Sequence, residues 1–105
     1  MVIRFGKEAL NVFDNNRYLT CGADHIIPLE LQLFLWICVD GLPEPRDHLQ
    51  IFELKRVGSM QSITHRSEEP EYQKDYIMPS NSPVIAKIYV IDDGTQSTML
   101  LAEEY

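Results

Sequence analysis

One stretch constrains what this chain can fold into more than any other: Pro28 to Gly41, PLELQLFLWICVDG, which concentrates more apolar surface than any other segment of its length. It has to be buried against something. Two periodicities compete within it. Read as a strand, Leu29, Leu31, Leu33, Leu35, Ile37 and Val39 share one face, and Glu30, Gln32, Phe34, Trp36, Cys38 and Asp40 the other. Read as a helix, Glu30, Gln32 and Asp40 scatter round the wheel and apolar side chains point in most directions. Alternation alone favours the strand, but Leu, Glu and Gln are good helix formers, and Pro28 to Asp40 is long for a strand. Pro28 also suits a first helical position and Gly41 the position after the last. These signals together predict a helix.

Such a helix is roughly 20 Å long at about 1.5 Å per residue, too short for a bilayer, which needs about 20 apolar residues. A helix apolar nearly all round needs cover on more than one side. A sheet of the same chain supplies one side. The other falls to a loop or to a second copy of the protein, and in the second case Phe34 and Trp36 are the expected anchors.

The chain has 105 residues, the size of a single domain, and buries roughly two thirds of its unfolded surface without needing a metal or a disulfide. Its composition, 45% hydrophobic and 24% charged, is globular. The net charge of -7 with nine scattered Lys and Arg argues against general nucleic-acid binding, since no run of cations neutralises neighbouring phosphates. A basic protein partner, or acidic mimicry of nucleic acid, remains open to such a charge. Cys21 and Cys38 lack metal-knuckle spacing, the first residues do not form a secretory signal, and no segment reads as a membrane span. A cytoplasmic protein with two free thiols, no cofactor and no bound metal is the expectation.

Along the chain, Val2 to Phe13 fits either an amphipathic helix or a strand and turn. Asp14 to Asn16 is a turn cluster. Arg17 to Cys21 reads as a short strand closed by Gly22, and Ala23 to Ile27 leads into the helix, with Ile27 pushed extended by Pro28. LPEPRD is a surface connection. His48 to Lys55 is an interior strand, and a turn at Val57 to Ser59 returns the chain into the more polar strand Gln61 to Arg66. Ser67 to Pro83 is the longest irregular segment, with its tyrosines and Ile77 able to tack it down as an edge strand. Val84 to Ile91 is the clearest strand, and Asp92, Asp93 and Gly94 turn it into a partner strand, Ser97 to Glu103. The expected fold is α+β: four or five mainly antiparallel strands on one principal apolar helix, ending in a β-hairpin.

The runs RYLTCGADHIIPLELQLFLW, HLQIFEL, ITHRSEEPEY and AKIYVIDDGTQSTMLLAEEY resemble a small family from low-GC Gram-positive bacteria and their phages, known only as domain of unknown function number nine hundred and sixty. The resemblance covers about Phe13 to Tyr105 and leaves residues 1–12 as an N-terminal extension. It implies a source and no activity, cofactor or partner.

Two groupings carry the residue types that chemistry needs. Cys21, with His25 four residues on and Asp24 beside it, has the makings of a thiolate and its base, although such spacing is generic. His65 with Glu68, Glu69 or the pair Asp92 and Asp93, joined by His48 if its strand lies alongside, has the imidazole and carboxylates of a metal-dependent hydrolase. Aspartates before a glycine are more often turn formers. Phosphate-cradling GxGxxG and GxxxxGK patterns and a GxSxG elbow are absent. The preferred reading is a non-catalytic, self-associating interaction domain. Its surface combines Phe34 and Trp36 with the acidic segment around Glu68, Glu69 and Glu71. A small hydrolase built on His65 is the alternative, and an acidic inhibitor of a nucleic-acid enzyme a third possibility.

Overall fold

The computed structural model describes residues 11–105; the choice between helix and strand for Val2 to Phe13 lies outside the described residues as far as residue 10, as does most of the 1–12 extension. In chain order the elements are β1 (Asn16–Leu19), α1 (Cys21–Ile26), α2 (Leu29–Asp40), β2 (Leu49–Val57), β3 (Met60–Glu68), β4 (Glu71–Pro79), β5 (Ala86–Asp92) and β6 (Gln96–Leu101), followed by a 3-10 turn, Ala102–Glu104. The strands form one six-stranded sheet in the order β1-β6-β5-β2-β3-β4. Every neighbouring pair is antiparallel except β1 and β6, which run parallel from Asn16↔Gln96 to Leu19↔Met99.

The α+β class therefore stands, with six strands in place of four or five and two helices in place of one. The additional helix arises because the first strand stops at Leu19 and Thr20 caps a new element: its hydroxyl accepts the Ala23 N–H at 3.1 Å. The additional strand is β4, which converts most of the segment expected to be irregular into regular edge structure. Serine and proline at its ends and a fully solvent-exposed face conceal the alternation that marks a half-buried strand.

The segment from Leu29 to Asp40 is helical, and Ile27 before it is extended (φ -96°, ψ 116°), as the proline behind it demands. Pro28 offers no capping side chain. Gly41 ends the helix in the right-handed region at φ -78°, whereas Gly58 (φ 60°) and Gly94 (φ 97°) supply the left-handed conformation of the β2–β3 and β5–β6 turns. A strand would have placed Leu29, Leu31, Leu33, Leu35 and Ile37 on one face. The helix separates them: Leu31, Leu35, Cys38 and Val39 are buried, while Leu29, Leu33 and Ile37 point outward.

The core is one cluster in which these inward residues of α2, with Ala23 and Ile27, meet Phe52, Leu54, Ile63, Ile88, Val90, Met99 and Leu101 of the sheet. Strands β2 and β5 lie at the centre, as their apolar character implies, but only one face of the sheet is roofed by helix. On the other face the register sets Asp75, Thr64, Glu53 and Lys87 in one row across β4, β3, β2 and β5. Among the described residues no helix is long and apolar enough to cross a membrane.

Candidate functional site

Phe34 and Trp36 are two residues apart, and on a helix that sends them to opposite flanks. Both are half-buried against the core. Phe34 meets the ring of Tyr76 on β4 edge to face, with centroids 5.1 Å apart. Trp36 lies under the Arg17 guanidinium of β1, 4.7 Å from the ring centroid, and that guanidinium also pairs with Asp40. The two aromatic residues therefore do not form one patch. The solvent-facing surface of α2 belongs instead to Leu29, Leu33 and Ile37, which are 64%, 54% and 63% exposed. Their i, i+4, i+8 spacing aligns them along a single ridge opposite the core, and Ile26 of α1, also exposed, lies just before its first turn. The signal for this ridge was present in the sequence as helical periodicity; what concealed it was the apolar character of the whole wheel.

Glu68, Glu69 and Glu71 do come together, in the tight β3–β4 hairpin where Glu68 is paired with Glu71. The hairpin is held from below by Asp47, whose Oδ2 accepts the backbone N–H groups of Glu68 (3.2 Å) and Glu69 (2.8 Å), while Oδ1 accepts that of Leu49. Burial pushes the Asp47 carboxyl up, but these three donors outweigh it and leave the group below the ordinary carboxylate value. Beside the hairpin, Arg66, Ser67, Glu68, Glu71, Tyr72 and Gln73 line a depression of about 560 Å³ that carries both signs of charge.

His65 is fully buried, and none of the acids grouped with it above hydrogen-bonds its ring. Its Nε2–H donates to Gln50 Oε1 at 2.7 Å, its ring stacks on Phe52 with centroids 4.3 Å apart, and Tyr72 meets it edge-on. Among the described residues Nδ1 has no hydrogen-bond partner, and burial lowers the imidazole from 6.5 to about 4. The register places His65 opposite Phe52, and Phe52 opposite Ile88. Asp92 is thus two strands and four residues away, on the order of 16 Å. Asp92 is itself buried and accepts from Phe13 N (2.8 Å), Asn15 Nδ2 (3.0 Å) and Gly94 N (2.8 Å), whereas Asp93 is exposed and organises the turn through Thr95 and Gln96. His48 is exposed, and its carbonyl accepts the Asp92 N–H. Among the described residues no three His, Cys, Asp or Glu side chains are placed to hold a metal ion.

Cys21 opens α1 as an exposed free thiol, and His25 is exposed at the other end of the same short helix. Asp24 is engaged by Gln32 Nε2 at 3.1 Å. A proximity invisible to sequence spacing lies beneath α2: burial raises the Cys38 thiol, and burial together with that neighbouring thiol raises the Tyr76 hydroxyl.

Comparison with known proteins agrees on the fold. A crystal structure of a protein of unknown function from Enterococcus faecalis superposes with a TM-score of 0.81 at 24% identity, covering 92% of this chain and 98% of that one. No curated protein matches the chain. Residues 16–104, nearly the whole of the described fold, match the family described as Staphylococcal protein of unknown function (DUF960), and the chain belongs to that family.

Proposed function

We propose that this domain is a non-catalytic interaction module that self-associates through the outward ridge of α2. The observation that carries this reading is the exposure of Leu29, Leu33 and Ile37 along one helical row. Aliphatic side chains left in water in one contiguous strip are stabilised when a second surface removes them from solvent, by about 25 cal/mol per Å² of apolar area. The ridge is also symmetric about its centre. In an antiparallel crossing of two copies Leu33 meets its own counterpart, and Leu29 of each copy meets Ile37 of the other, as an isologous two-fold contact requires. Ridges of the i±4n type interdigitate at about -50°. The carboxylates Glu30 and Asp40 fall near the two ends of the row, so its middle is free of charge.

The hydrolase reading draws less support, because His65 is enclosed by Phe52, Gln50 and Tyr72 and no carboxylate among the described residues bonds it. Sedimentation equilibrium on the wild-type chain and on Leu33→Asp tests the proposal. The wild type is expected to associate, and the variant to remain monomeric with stability within about 0.5 kcal/mol of wild type, as for an exposed surface position. A variant that associates as before, or a wild type that is monomeric at all accessible concentrations, overturns it.

A further inference from the structure

We propose that the outer edge of β4, together with the cavity at its C-terminal end, docks an extended peptide that adds to the sheet as a seventh strand, with apolar side chains on the helix side and basic side chains on the other. The two edges of the sheet are built differently. The β1 edge is only four residues long, which is one of the ways a sheet limits unwanted pairing. The β4 edge runs for nine residues, pairs with β3 one to one from Glu68↔Glu71 to Met60↔Pro79 without a bulge, and has no strand on its outer side among the described residues. Its single proline, Pro79, stands at the last position, and the Lys74 ammonium folds over the Tyr76 ring at 5.4 Å. Roughly every second residue of such an edge presents an unpaired N–H and C=O outward, the template for strand addition.

The cavity gives that template selectivity. It measures about 200 Å³ and is lined by Pro28, Leu31, Met78, Pro79 and Val84, with the polar Glu30, Gln61, Ser80 and Ser82 among them. The Gln61 amide is already satisfied: Nε2 donates to the carbonyls of Lys55, Ser62 and Val84, and Oε1 accepts the Val84 N–H at 2.6 Å. The Gln61 amide therefore asks for no further polar partner, and the Leu31, Met78 and Val84 walls suit an apolar side chain. Met78 and Pro79 end β4, so a strand laid along the edge brings its alternate side chains to the cavity mouth. On the opposite face the same strand passes Glu71 and Asp75, where basic side chains are complementary, in a chain whose net charge is -7.

The probe is a blocked hexapeptide of alternating isoleucine and lysine, titrated into the isotopically labelled full chain and followed by backbone amide shifts and exchange rates. Saturable shifts confined to β4 and the cavity residues, with slowed exchange at alternate β4 amides, are expected. A peptide of identical charge that is N-methylated at alternate amides should bind at least tenfold more weakly, because it cannot complete the ladder. Ser82→Trp, at an exposed cavity position, should weaken the unmodified peptide comparably. Leu33→Asp should bind it as wild type does, whatever becomes of self-association. If Ser82→Trp fails to fold, the peptide pair decides alone. Equal binding of the methylated peptide, shifts centred on α2, no saturation at millimolar peptide, or β4 protection in the free chain that grows with concentration and reveals a second copy on the edge would each overturn the proposal.

Discussion

Below pH 6.5 the unfolded chain takes up a proton on His65 that the folded chain refuses until about pH 4, because the folded ring is buried and its free nitrogen faces no acceptor. The unfolded state binds more protons across that window, so the His65 contribution leaves stability intact above pH 6.5 and erodes it as pH falls toward 4. The full difference is about 3 kcal/mol at 1.36 kcal/mol per pH unit. His65→Phe preserves the stack on Phe52 and removes the titration. Urea midpoints between pH 7 and 4 should therefore fall less steeply for the variant than for wild type, and parallel curves would place the acid sensitivity elsewhere. The neighbours Asp92 and Asp93 make a second contrast. Asp92→Ala strands the buried Phe13 donor and releases the part-buried Gly94 donor, and should cost about 2–4 kcal/mol, while Asp93→Ala at the exposed turn should cost less than about 1 kcal/mol; calorimetric melting of the pair checks the difference. The turn itself was legible in DDG. The bond from Asp92 back to Phe13, 79 residues earlier, was not, because nothing local distinguishes the first aspartate from the second.

Among the elements, α2, β2, β3, β5 and β6 were legible because each has a long periodic or β-branched run bounded by proline, glycine or aspartate. Element α1 was not, since six residues containing a glycine show no period, and its start depends on Thr20, whose hydroxyl both accepts from Ala23 N and donates to Glu104 Oε1 at 2.8 Å. Glu104 Oε1 also accepts the Leu101 N–H, so this cap ties the first helix to the end of the chain, 84 residues away. Thr20→Val removes the oxygen at nearly constant volume and should destabilise the fold by about 1 kcal/mol, read as a lowered melting temperature. Glu104→Gln, which retains the acceptor, should lose less. The ridge on α2 was half legible: the demand for cover on two sides followed from composition. Which residues faced outward required knowing where the sheet lay, and that is a long-range property.

At the scale of the whole molecule, a sheet roofed on one face by a helix that is itself apolar on its far side forms two layers with an uncovered third. A second copy would close the stack, but each copy brings a net charge of -7, and the monopoles repel. Two such charges about 25 Å apart repel by roughly 2–3 kcal/mol at 20 mM salt, and by almost nothing at 500 mM, where the screening length is only about 4 Å. Self-association through an uncharged ridge should therefore tighten by about 30- to 150-fold over that range of sodium chloride, measured by sedimentation equilibrium. A contact built on the Glu68–Glu71 hairpin and a basic patch would move the other way, since its attraction is what salt screens. The direction of the salt dependence thus separates the apolar ridge from the acidic hairpin as the seat of association.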